Sequence, residues 1–224
     1  MFEGILLREG VLSIDTLFIA VRDCQIMSNV NDNYRKLWLG RATLFAMALL
    51  SVSCASTLFK VKPATELPPL PADSRNTEAN GLTVTVAPLL TDEQTQELFE
   101  VNLPMTGVLA VRAQLQAPSG TPLELKRARF VVHDAQNREW KLLSPKQTVS
   151  RIMSANGMKL YNPNARKQFE SEITSYSFDT KTPLDSTRSG FLFFQTPDKR
   201  AVDANQKLTL SIERLPQPVS IALN

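Results

Sequence analysis

Gly81-Leu82-Thr83-Val84-Thr85-Val86-Ala87 sets the fold class. Leu82, Val84 and Val86 alternate with Thr83, Thr85 and Ala87. Period two with β-branched residues is the mark of a strand with one face buried. The pattern repeats outward from here. In Val108 to Gln116, residues Leu109, Val111, Ala113 and Leu115 share one face, while Arg112, Gln114 and Gln116 share the other. A turn cluster, Ala117-Pro118-Ser119-Gly120-Thr121-Pro122, follows. Residues 123–133 hold one or two strands with Phe130 and Val132 inward. Asp134-Ala135-Gln136-Asn137 reads as a hairpin turn into 138–143. Further strands fall at 190–195, 207–215 and 219–223. Seven or eight short strands with turns between them predict a mainly β fold, an antiparallel sandwich.

Two helical pieces interrupt the strands. Thr91-Asp92-Glu93-Gln94 is a capping box, and it predicts a short helix after the first strand, ending near Phe99. Ser144-Pro145-Lys146-Gln147 combines a cap, a proline at the first helical position and a closing Gln. Val149, Ile152 and Met153 then share a face, and Gly157 ends the turn. Asn162-Pro163 starts again, with Ala165, Phe169 and Ile173 at helical spacing. Residues 144–178 are therefore expected to be a helical insertion, although 173–178 read equally well as a strand.

The amino-terminal part has a different character. Arg35, Lys36 and Arg41 precede the apolar run Ala42 to Leu50, then Ser51-Val52-Ser53 and Cys54. A charged start, a short apolar middle and small residues before a cleavage point make a secretory signal. The run is about half of the roughly 20 residues that a membrane-spanning helix needs. With the cysteine at its end, 27–53 resembles a bacterial lipoprotein signal. That resemblance implies cleavage between Ser53 and Cys54, acylation of Cys54 and a lasting hold on a membrane. Leu50 stands one position early for the family's lipobox. Ala55, where inner-membrane members carry Asp, implies the outer membrane. Residues 1–26 contain Glu3, Arg8, Glu9, Asp15, Arg22 and Asp23, belong to neither a signal nor a span, and read as a mis-assigned upstream extension with Met27 as the expected start. Residues 54–80 carry Pro63, Pro68, Pro69 and Pro71 and read as the lipidated Cys54 followed by a semi-rigid tether. The domain proper is then expected at 81–224.

Gly81 to Pro88, Leu98-Phe99-Glu100-Val101-Asn102-Leu103, Gly107 to Arg112 and Gly190-Phe191-Leu192-Phe193-Phe194 are similar to segments of uncharacterised bacterial lipoprotein domains. The resemblance implies an immunoglobulin-like sandwich and supplies no catalytic residue.

Composition narrows the chemistry. The chain has 224 residues, a net charge of +3, two cysteines and one histidine. A multi-bridge disulfide scaffold and a Cys/His zinc cage are excluded. The near balance of charge gives no reason to expect nucleic acid as a partner. No cofactor motif is present, and the eight glycines form no phosphate-cradling pattern. His133, the only histidine, lies beside a turn with no nucleophile motif. Asp92, Glu93, Glu97, Glu170 and Glu172 are the acids from which a two-carboxylate hydrolase would have to be built. Lys126, Arg127 and Arg129 make the one compact basic cluster of the domain, and with Trp140 they form the candidate binding patch. Phe193 and Phe194 put an aromatic on both faces of one strand, which points to a strand covered by the insertion or to an exposed apolar patch. The expected protein is a lipid-anchored, non-catalytic binding or structural module of the cell envelope with an envelope protein as partner. A docking lipoprotein of a larger envelope or secretion complex and a carboxylate-based envelope hydrolase are the rival readings.

Overall fold

The structure is a computed structural model and describes residues 59–118, 122–158 and 162–224. Residues 1–58, with the extension, the signal and Cys54, lie outside the described residues. Eight strands form one antiparallel sheet: β1 Arg75–Ala79, β2 Leu82–Leu89, β3 Val108–Gln116, β4 Arg129–Asp134, β5 Glu139–Leu142, β6 Thr187–Gln195, β7 Leu208–Glu213 and β8 Val219–Ala222. They follow the order β1-β2-β3-β6-β5-β4-β7-β8. The edge strands β1 and β8 lie beside each other, so the sheet nearly closes into a barrel. The expected mainly β, antiparallel character is present. Two separately paired sheets are not seen, because β5 pairs with β6 on one side and β4 on the other.

The alternation read from the sequence fills the interior. Leu82, Val84 and Val86 of β2, Leu109, Val111, Ala113 and Leu115 of β3, and Leu208, Leu210 and Ile212 of β7 all belong to one buried cluster. Phe130, Val132, Trp140, Leu192 and Phe194 belong to it too, as do Val219 and Ile221 of β8. A second cluster lies outside the barrel wall, under three helices: α1 Asp92–Phe99, α2 Pro145–Ala155 and α3 Pro163–Tyr176. Both capping boxes form. Thr91 and Gln94 close the one at α1, and Ser144 and Gln147 the one at α2. Val149, Ile152, Met153, Phe169 and Ile173 point at Phe191 and Phe193. Phe193 is thus covered, as the insertion predicts, and it forms no exposed patch. Phe99 anchors this layer with edge-to-face contacts to Tyr176, Phe191 and Phe193 at 5.4–5.9 Å. At the far end of the insertion the helix persists to Tyr176, and only Ser177 bridges to Phe191 as strand.

The proline-rich segment departs from the expected tether. Residues 59–80 pack on the domain instead of standing off it. The Lys62 N–H donates to the Leu98 carbonyl at 3.0 Å, and the Phe59 ring meets Phe169 at 5.2 Å. Arg112 Nη1 donates to the carbonyls of Pro68 at 2.6 Å and Pro69 at 3.4 Å. The segment is outside any strand or helix there, so these carbonyls can serve as acceptors for a guanidinium rich in donors. Arg75–Ala79 then adds to β2 as a full strand. The turn between them is Asn80-Gly81, with φ of 50° and 75°. Both residues take the left-handed conformation that a tight hairpin requires. The domain therefore begins well before Gly81.

Candidate functional site

β5 is four residues long and divides itself between two neighbours. Glu139 and Trp140 pair with His133 and Val132 of β4. Lys141 and Leu142 pair with Gln195 and Phe194 of β6. The first half of β4 is therefore left with β7 as its only strand partner. A groove of about 860 Å³ opens where β4 and β5 part. That volume lies within the range of ligand sites, about 300–1,000 Å³.

The basic cluster predicted from sequence lines this groove. Lys126 and Arg127 stand exposed at one lip, in the turn that leads into β4. Topology adds two cations that the sequence reading missed. Lys141 comes from β5 and Arg214 from the residue after β7. Period two beside the inward Trp140 does place Lys141 outside, but nothing in the sequence reveals that β7 brings Arg214 alongside. None of the four pairs with a carboxylate among the described residues.

Arg129 behaves differently. Its guanidinium bridges Glu139 and Glu213, the latter at 3.0 Å. The bonds it donates to Glu139, then to Glu213, push its pKa up, so it stays charged and is internally neutralised. Arg129 therefore braces the wall and adds little net charge to the groove. Trp140 lines the floor of the groove together with the basic cluster, but it does so from within the wall. It is 1% exposed and belongs to the barrel interior, so its ring is not available to stack on a ligand at the surface. Its indole N–H donates to Asp134 at 3.3 Å.

Asp134 is the organiser of this corner. Its carboxylate accepts from the N–H groups of Gln136 and Arg138 at 3.0 and 2.9 Å, from Arg138 Nε at 2.7 Å, and from Trp140. Burial by itself pushes its pKa up. The bonds from Arg138, Trp140 and Gln136 outweigh burial and hold the pKa below the usual carboxylate value. The predicted turn thus owes its shape to the same side chain that fixes Trp140.

The remaining sequence candidates lie apart. His133 sits in mid-β4 opposite Glu139 and Thr209, with Nδ1 buried and unpartnered. Asp92 and Glu93 occupy the first turn of α1, where acids complement the helix end. Glu170 and Glu172 are on α3. A second, smaller cavity of about 200 Å³ lies under the proline-rich strap, between Leu67, Arg112, Ser175, Tyr176 and Ser189. Desolvation there pushes the Arg112 pKa down and the Tyr176 pKa up. Among the described residues no helix is long and apolar enough to cross a membrane, and no cluster of His, Cys, Asp or Glu is placed to hold a metal ion. Compared with protein-family models, with curated proteins and with solved structures, the chain matches none.

Proposed function

We propose that this chain is a lipid-anchored protein of the bacterial cell envelope, most consistent with the outer membrane, whose β domain is a non-catalytic binding module for an acidic ligand. The observation that carries the binding half is the convergence of Lys126, Arg127, Lys141 and Arg214 on one groove. Four unpaired cations at one mouth attract anions and steer their approach. The anchoring half rests on the layout of 27–54. Cys54 would hold the membrane, and the acyl chains of a lipoprotein cysteine exceed the two-signal requirement for stable anchoring. The immunoglobulin-like resemblance enters the same reading as a flattened barrel, with β1-β2-β3-β6 facing β4-β7-β8 across one core.

Each half has its own test. Labelled fatty acid should enter the wild-type protein and should not enter Cys54→Ser. Incorporation that survives the substitution refutes the anchor. Titration with inorganic phosphate or an acidic peptide should weaken with rising salt, and Lys126→Glu with Arg214→Glu should abolish it. Unchanged affinity in that double variant removes the groove as the site.

A further inference from the structure

We infer that the ligand of the groove is an extended acidic polypeptide segment, which adds as a strand to the free half of β4. This rests on reading the groove as the acidic-ligand site and names the class of its occupant.

The argument is one of backbone parity. The Asp134 N–H donates to the carbonyl of Arg138, on the β5 side of β4. Antiparallel hydrogen bonding alternates, so Val132 and Phe130 turn their own N–H and C=O groups to that same side. Val132 meets Trp140 there, but Phe130 has no β5 partner in the ladder. On the opposite bank, the Leu143 N–H donates to the Phe193 carbonyl, and Lys141 pairs with Gln195. Leu142, between them, therefore turns its backbone groups away from β6, to the seam. Both banks present strand-edge donors and acceptors to the groove, and an unpaired edge is a template for another chain.

Charge then selects the chain. A second copy of this protein would bring the same four cations to the seam and be repelled. An acidic strand would place alternate carboxylates toward Lys126, Arg127, Lys141 and Arg214, and its backbone toward the free N–H and C=O groups of Phe130 and Leu142. Main-chain bonds give affinity to such strand addition, and the side chains give specificity. A phosphate or a lipid headgroup could use the cations but would leave the backbone groups of Phe130 and Leu142 without partners.

The test uses the full chain in neutral detergent and an eight-residue peptide of alternating Glu and Val. Binding is measured by calorimetry, and backbone protection by hydrogen exchange. The peptide should bind, and it should slow exchange in the segment containing Phe130. N-methylation of alternate peptide residues should weaken binding roughly tenfold, the effect of removing one or two backbone hydrogen bonds. Lys126→Glu with Arg127→Glu should weaken it further. Equal binding of the methylated peptide, or no added protection, overturns strand addition. Binding of inorganic phosphate or phosphatidylglycerol vesicles without the peptide also overturns it and leaves the acidic-ligand site standing. Failure of all three probes removes both.

Discussion

Asp134→Ala tests the corner that holds the groove. The Asp134 side chain has no solvent exposure, and it is the only acceptor for the indole N–H of the buried Trp140 among the described residues. Alanine leaves that N–H without a partner, at about 1–3 kcal/mol. It also removes the two bonds that shape the turn, from Gln136 and Arg138, at roughly 0.5–1.5 kcal/mol each. The side chain of Arg138 is 48% exposed and its guanidinium regains water, so it adds little. The sum is about 4 kcal/mol, or roughly 8–16 °C in Tm for a domain of this size. Urea unfolding followed by circular dichroism measures the first figure and a thermal scan the second. In a Trp140→Phe background the same substitution should lose about 1–2 kcal/mol less, because the orphaned donor is gone. The acid limb carries a second signature. The folded-state pKa of Asp134 is depressed, so its contribution is complete above the unfolded value of about 3.9 and is lost as pH falls through the folded value. Wild type should therefore lose stability below about pH 4 more steeply than Asp134→Ala. A loss under about 1 kcal/mol at neutral pH, or full additivity with Trp140→Phe, refutes the account.

Other substitutions read other parts of the fold. Gly190→Ala would bring a Cβ to 2.6 Å from Phe178 Cα, a backbone atom that cannot swing aside, so it should destabilise by about 3 kcal/mol or more in urea unfolding. Thr91→Ala and Ser144→Ala each remove one capping box and should each lower stability by about 1 kcal/mol, additively, since they cap different helices. Arg112→Ala releases the carbonyls of Pro68 and Pro69, and limited proteolysis should then cut within 63–74 faster while urea unfolding shifts far less than for Asp134→Ala.

The elements with strong local signals were readable from the chain. The capping boxes at Thr91 and Ser144 and the period-two runs of β2, β3 and β7 are local properties, and they hold. Strand order is not local. The short β5 hands over from β4 to β6 within four residues, which turns two expected sheets into one. The same handover brings Lys141 and Arg214 to Lys126 and Arg127, so half of the groove's charge was hidden until the register was known. Arg129 looked like its neighbours in sequence, yet Glu139 and Glu213 reach it from ten and 84 residues away. The strand at Arg75–Ala79 had a local signal that composition masked. Asn80-Gly81 is a strong hairpin dipeptide, but the prolines upstream pointed to a spacer.

The meeting of β1 with β8 has a mechanical consequence. All ladder neighbours are antiparallel, so across eight strands the start of β1 and the end of β8 come to the same rim of the barrel. A load applied between the start of β1 and the end of β8 would peel the two strands away rung by rung, not shear the whole sheet at once. The same proximity means that a short linker could splice the carboxyl end to Arg75 at the start of β1, with new termini opened at the exposed Ala135-Gln136 turn. Such a permuted chain would keep every rung of the barrel and bridge the β1–β8 seam covalently.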